Sequence, residues 1–321
     1  MDYINRGNRS TKDGFGIGLL KLGEKHKNLI ALGADITASV VVNYFAEKFP
    51  KRFFSFGIAE QNCIGVAAGL ALSGKIPVFS TYGVFAALRT TDQIRISLCY
   101  NNVHAIIGGA HAGISVGPDG ATHQALEDIA IMRVLPYMTV LSPCDATQTE
   151  QAIIAAVEQI NGPVYLRFGR APVPDFIDPE IEYIPGKAQT LKEGNDITLI
   201  ATGHMVWEAL QSSKILEEKG ISARVINIHT IKPIDKDIII KAAKETKAIV
   251  TLEEHQVQGG FGSAVAEVIV ENYPVPLKMI GMHDRFGESG QPEELMMKYG
   301  LKAELFTKDI LHFINLTSVR S

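Results

Sequence analysis

The sequence predicts an α/β protein of two units, each built on a mostly parallel sheet covered by helices. Two observations carry this. Short apolar runs of strand length alternate with stretches of helix length along the chain, the arithmetic of βαβ units whose sheets are covered on both faces. A stretch rich in Pro and acid, beginning Ala171-Pro172-Val173-Pro174-Asp175, breaks the alternation near the middle. The chain therefore divides into a three-layer α/β/α domain over residues 1–170, an extended linker over 171–195 and a smaller α/β domain over 196–321.

Asp13 to His26 carries Phe15, Ile17, Leu19, Leu20 and Leu22, with an aspartate in the first turn and lysine toward the end, and reads as a helix. Leu29 to Leu32 is a short buried strand. Asp35 to Ser39 leads into a helix ending before Pro50, with Asp35 or Ser39 as its N-cap. The apolar run from Phe53 should be a buried strand, broken by Gly57, and Cys63 to Leu72 is a helix of small residues that can lie close to a neighbour. Glu60 thus stands where strand turns into helix. Ile76 to Ser80 is the next strand, and Tyr82-Gly83-Val84-Phe85 can present an aromatic face at its end. Thr90 to Tyr100 is helical, with Arg89, Asp92 and Arg95 on its polar side. Ala105 to Gly109 is a strand that runs into a Gly-rich loop with His111. Thr122 to Val134 reads as a helix with His123 and Glu127 in its first turn. Thr139 to Pro143 is a strand, Asp145 to Glu158 a helix capped by Asp145, and Val164 to Phe168 the last strand of this domain, with Arg170 just beyond it.

The second unit repeats the pattern. Ile197 to Gly203 is a buried strand with a turn, Val206 to Lys219 an amphipathic helix, Ala223 to Ile228 a strand, Asp235 to Thr246 a helix and Ala248 to Leu252 a third strand. Glu253-Glu254-His255 stands at the end of that strand, before Gly259-Gly260-Phe261-Gly262. These glycines lack both the Gly-Lys-Ser/Thr ending of a P-loop and the dinucleotide spacing, so the segment is assigned a structural or subunit-contact role.

Composition sets the outer limits. The 321 residues are 46% hydrophobic, enough for two cored domains, and a formal net charge of −4 leaves no polyanion footprint, which argues against a nucleic-acid partner. Cys63, Cys99 and Cys144 have neither metal nor redox spacing and read as small core residues of a reducing compartment. The N-terminal residues lack a signal core, and no run of about 18 apolar residues occurs. A cytoplasmic protein with no membrane contact is expected.

Glu60 at a first helical turn could simply complement the helix dipole, or it could be a partly buried acid kept for proton chemistry. In a parallel sheet the C-terminal strand ends converge on one crevice where ligands bind. Glu60, the Tyr82/Phe85 face, His111, Asp119 and His123 would then share an edge.

The phrases Phe56-Gly57-Ile58-Ala59-Glu60-Gln61, Asp119-Gly120-Ala121-Thr122-His123-Gln124 and Phe286-Gly287-Glu288-Ser289-Gly290 resemble the transketolase family of thiamine-diphosphate enzymes. More narrowly, the chain resembles the separately encoded C-terminal subunit of a split transketolase, from Ser10 to about Phe313. The resemblance implies a pyrimidine-binding first domain and a largely architectural transketolase C-terminal domain. It implies transfer of a two-carbon ketol unit from a phosphorylated ketose to an aldose.

The cofactor must lose a ring proton to its own amino group, which requires a proton held at the pyrimidine N1′. A carboxylic acid shielded from water, with a raised pKa, can donate there, and Glu60 is the candidate. Phe85 and Tyr82 would form the wall on which the pyrimidine stacks, and Asp35 would belong to the same side. His123 would shuttle or stabilise the proton at the substrate oxygen, and Asp119 would accept from a sugar hydroxyl. His111, Arg170, Ser39 and Lys12 resemble a phosphate clamp.

Two positions depart from the family pattern. Lys12 stands where the family usually has arginine and so lacks the bidentate fork, and Thr91 stands close to a usual aromatic. The family's Gly-Asp-Gly motif does not occur in the sequence. The resemblance therefore implies that Mg2+ (or Ca2+) and the diphosphate are held by an N-terminal partner subunit, in a heterotetramer of two plus two.

Two other readings stay open. One is a 1-deoxy-D-xylulose-5-phosphate synthase-like or 2-oxoacid dehydrogenase beta-like subunit, although the Asp119–Gln124 motif argues against the dehydrogenase. The other is a non-catalytic paralogue, against which Glu60, Asp119 and His123 together speak.

Overall fold

The structure, a computed structural model, describes residues 3–318. Strand β1 (Asn8–Ser10) runs directly into helix α1 (Thr11–Lys25), and Ser10 ties the two in a capping box. Its hydroxyl accepts from the Lys12 N–H, and the Asp13 carboxylate accepts from the Ser10 N–H. The wholly buried β2 (Leu29–Gly33) follows. The chain then turns through Asp35 and Val41, both at positive φ (69° and 58°), before helix α2 (Asn43–Lys48). Neither Asp35 nor Ser39 caps that helix. The reversal at Val41 separates them from it, and the N-cap position falls on Val42, where no side chain caps.

Strand β3 (Phe53–Ser55) is the second correction: it is an exposed edge strand, with Phe54 half-exposed. Its apolar residues mark a surface rather than a core. Helix α3 (Glu60–Leu72) and β4 (Ile76–Tyr82) come next. The stretch expected as one helix begins earlier, at Phe85, and is irregular: a π-helix over Phe85–Arg89, a single turn α4 (Thr91–Gln93) and a second π-helix over Ile94–Tyr100.

After β5 (Ile106–Ala110), helix α5 spans only Asp128–Val134. Residues 120–127 are withheld from it because Gly113 donates to the Ala125 carbonyl at 2.9 Å and His123 to the Gly120 carbonyl at 3.0 Å. His123 thus lies in a turn, not in a helix. Strand β6 (Thr139–Leu141), helix α6 (Ala146–Glu158) with its N-cap Asp145, β7 (Val164–Arg167) and β8 (Pro172–Pro174) complete the first half.

The second half runs β9 (Gln189–Lys192), β10 (Ile197–Ala201), α7 (Met205–Glu217), β11 (Ala223–Asn227), β12 (Thr230–Lys232) and α8 (Lys236–Glu245). It ends with β13 (Ile249–Gln256), α9 (Phe261–Asn272), β14 (Leu277–Met282), α10 (Pro292–Lys298) and α11 (Ala303–Ser318).

Among the described residues the strands form three sheets. The seven-stranded sheet has the order β12-β6-β7-β5-β4-β2-β3, parallel except for β12, and the five-stranded sheet the order β14-β13-β10-β11-β9, parallel except for β9. β1 and β8 form an antiparallel pair. Several strands lie elsewhere than the sequence pattern places them, β8 among them, in the stretch read as linker. β9 falls in the stretch read as linker and closes the second sheet, and β12, only two residues past β11, crosses to cover the open edge of β6 in the first.

The halves also share their interior. One apolar cluster joins Leu32, Phe79 and Ile107 to Ile226, Ile231 and Phe261. Beside it, Arg167 is buried on Asp128 (Nε to Oδ2 3.0 Å) and donates to the Glu254 carbonyl at 2.9 Å.

Candidate active site at the C-terminal edge of the first sheet

The ends of β2, β3, β4, β5 and β7 open on one crevice, as a parallel sheet requires. Glu60 is the first residue of α3 and is 2% exposed, because the turn through Gly57 tucks the helix start under the sheet edge. Its carboxylate is not alone. Both oxygens lie 2.8 Å from Nη1 of Arg89, whose guanidinium carbon sits 4.1 Å from the centroid of the Phe85 ring.

Tyr82 ends β4 and forms the hub of the aromatic cluster. Its ring centroid lies 5.9 Å from that of Phe85, 4.2 Å from His111 and 5.6 Å from His123, and the Phe85 and His123 rings are 5.5 Å apart in an edge arrangement. The Tyr82 hydroxyl is 2.8 Å from Ser39 Oγ, which in turn is 3.4 Å from His111 Nε2. Ser39 therefore serves the cluster from the turn after β2, where the sequence pattern makes it a possible cap. Lys12 reaches the same turn, its Nζ donating to the Ser39 carbonyl at 3.4 Å.

His111 follows β5 at φ 54° and is buried, with Nδ1 lacking any partner. Burial first, then the positive charges of Lys12 and Arg170 and the His123 ring, push its pKa down to about 3. The ring is neutral at neutral pH. Its unpaired nitrogen is free to take a hydrogen bond beside the charges of Lys12 and Arg170. Asp119 pairs with Arg170 (Oδ1 to Nη1 3.4 Å), and Arg170 also donates to the Val116 carbonyl at 2.8 Å. His123 Nδ1 is 2.9 Å from Thr122 Oγ1.

Not every expected residue joins. Asp35 lies exposed at the turn after β2 and makes no hydrogen bond or ion pair among the described residues. Thr91 turns its hydroxyl back to the Ala87 carbonyl and adds nothing to the aromatic wall.

Two contributors escape sequence reasoning. Arg89 reads there as part of a helix's polar side. Glu254, buried in β13, accepts from the Ser115 N–H and is 3.3 Å from His204 Nδ1, so the second domain braces the loop that carries Asp119. The signal for Glu254 is its place in Glu253-Glu254-His255, an ionisable run inside a strand of buried residues.

The residues present fit an aminopyrimidine. A buried carboxylate faces the flat side of Phe85, and the space between them accepts a planar, nitrogen-bearing cation, since it holds one in Arg89. Among the described residues no group of three or more His, Cys, Asp or Glu could hold a metal ion.

Comparison with known proteins decides the family. The family model for the transketolase pyrimidine-binding domain matches residues 8–175, and that for the transketolase C-terminal domain matches residues 186–305. The chain belongs to the transketolase family. It is 42% identical to the 6-deoxy-6-sulfo-D-fructose transketolase subunit of Clostridium sp. (strain MSTE9), over 89% of this chain and 88% of that protein. It is 41% identical to a subunit of the apulose-4-phosphate transketolase of Phocaeicola vulgatus, over 92% and 95%. Among solved structures it superposes on a split-gene transketolase described as an inactive beta4 tetramer. The TM-score is 0.89 at 46% identity, covering 96% of this chain and 99% of that one. The transketolase-family fold thus extends through both halves. Among the described residues no helix is long and apolar enough to cross a membrane.

Proposed function

We propose that the chain is the C-terminal subunit of a split transketolase that moves a two-carbon ketol unit from a phosphorylated ketose to an aldose. One observation carries the reading: Glu60, Phe85, Tyr82, His111, His123 and the Asp119–Arg170 pair meet at one sheet edge. Thiamine diphosphate, when bound, supplies the carbon nucleophile that takes up the ketol unit. Glu60 holds a proton at N1′ of the pyrimidine ring, against the wall made by Phe85 and Tyr82. His123, edge-on to both aromatic rings, gives and takes the proton at the substrate oxygen. Asp119 accepts from a sugar hydroxyl beside the reacting carbon. Lys12 and Arg170 bring positive charge to the phosphate end, Ser39 brings a hydroxyl, and His111 acts as a neutral donor.

The assembly is two copies of this chain with two copies of a partner that holds the diphosphate through Mg2+ (or Ca2+). Exposed apolar side chains and open space along α3 support that arrangement. Ile58 and Tyr100 are 75% and 82% exposed, and Gly65 and Gly69 on α3 have open space where side chains would be. Relatives named as subunits, and one described as an inactive tetramer, support it too.

The deciding experiment adds the partner subunit to the purified chain with thiamine diphosphate and Mg2+, then offers xylulose 5-phosphate or pyruvate as donor. Turnover of the ketose phosphate only in the mixture supports the proposal. Turnover by the isolated chain would refute the two-subunit reading, and a preference for pyruvate would favour synthase-like chemistry.

A further inference from the structure

We propose that Arg89 is a stand-in for the aminopyrimidine: its guanidinium occupies the space between Glu60 and Phe85, and it leaves when the cofactor binds. The inference rests on the thiamine diphosphate reading of the site. A guanidinium and a protonated aminopyrimidine share the features this space selects. Both are flat, both stack on an aromatic face and both direct N–H groups at a carboxylate. Arg89 satisfies each condition, with Nη1 at 2.8 Å from both Glu60 oxygens and its guanidinium carbon 4.1 Å from the Phe85 centroid. The two cannot be present together.

The arrangement also answers the cost of burying an acid. A carboxylate 2% exposed and without a donor is costly, so something must pair with Glu60 whenever the ring is absent. Arg89 is built to do this reversibly. Its backbone is fixed, the carbonyl accepting from Gln61 Nε2 at 3.1 Å, so the residue stays beside α3. Its side chain is 42% exposed and closes the π-helix over Phe85–Arg89, an irregular turn that recurs at functional sites. The guanidinium can therefore swing toward solvent while the backbone stays where it is.

Displacing Arg89 lowers the apparent affinity for the cofactor by the fraction of molecules in which it has left. Thiamine diphosphate is titrated, with Mg2+, by calorimetry into the complex of this chain and its partner subunit. Arg89→Ala is expected to bind about tenfold tighter than wild type. Arg89→Leu keeps the bulk of the side chain without its charge and should also bind tighter. In a Glu60→Gln background, where the pairing is already broken, Arg89→Ala should give no such gain.

A second reading comes from melting curves. Without cofactor Arg89→Ala should melt below wild type, because Glu60 has lost its partner, and at saturating cofactor the two should melt together. Equal or weaker binding by both Arg89 variants, while wild type binds, overturns the stand-in role and leaves the cofactor reading intact. A wild-type complex that binds no thiamine diphosphate ends both.

Discussion

Glu60 is buried at the start of a helix whose next turns are apolar, so its carboxyl group serves whatever planar partner sits on Phe85. Replacing it with Gln keeps the size and removes the acid. Glu60→Gln in the complex should lose more than about a hundredfold in turnover, in line with the loss of a general acid. Steady-state assay of the purified variant checks this, and turnover within tenfold of wild type would retire the role.

The histidines set a second expectation at this scale. Burial lowers His111 to about 3, and His229 and His255 to about 4, from an ordinary value of 6.5. Each binds its proton more readily once unfolded, so stability is full above about pH 6.5 and falls as the pH drops toward 4. Melting temperature against pH should show that acid limb, and His111→Asn should make it shallower. His111 is marked in the sequence by the apolar strand it follows, and Glu60, Asp119 and His123 by their motifs, and the structure brings Tyr82, His111 and His123 together at one edge. Arg89 carries no such mark, because its partner is 29 residues away and its spacing matches a solvated helix face.

The elements around these residues are legible where one period dominates and obscure where a long-range bond overrides it. α1, α3, α6 and the buried strands β2, β4, β5, β7, β10 and β11 follow their hydrophobic patterns. The helix expected from Thr122 loses its first turns because the chain there bonds to Gly113. Gly113 itself has φ 90°, and a Cβ added to it would lie 2.3 Å from the Glu254 carboxyl carbon. Gly113→Ala should therefore displace Glu254 and loosen the loop bearing Asp119. It should cost at least about 1 kcal/mol in urea unfolding and raise the KM for the phosphorylated donor more than it lowers kcat. No local pattern announces this contact, since its two sides lie in different halves of the chain.

Across the whole molecule the halves are held by buried charge as well as apolar packing. Arg167→Met would leave Asp128 buried with the Tyr165 hydroxyl (2.8 Å) and the His255 ring (Nε2 to Oδ1 3.8 Å) in place of a fixed positive charge, a loss of about 3–5 kcal/mol by urea denaturation. Arg167→Met combined with Asp128→Leu should recover part of that loss, since no unpaired charge remains. The linker and the margin of the first sheet elude the sequence pattern for one reason: β9 and β12 are short edge strands, and which sheet takes an edge strand is settled by geometry far from it in sequence. β12 carries a consequence for how the protein is made. Thr230 lies opposite Leu141, so a chain emerging from the ribosome must grow by about ninety residues after β6 before that strand receives its neighbour. Until then the nascent N-terminal half keeps an unprotected sheet margin, and its maturation waits on translation of the region that follows.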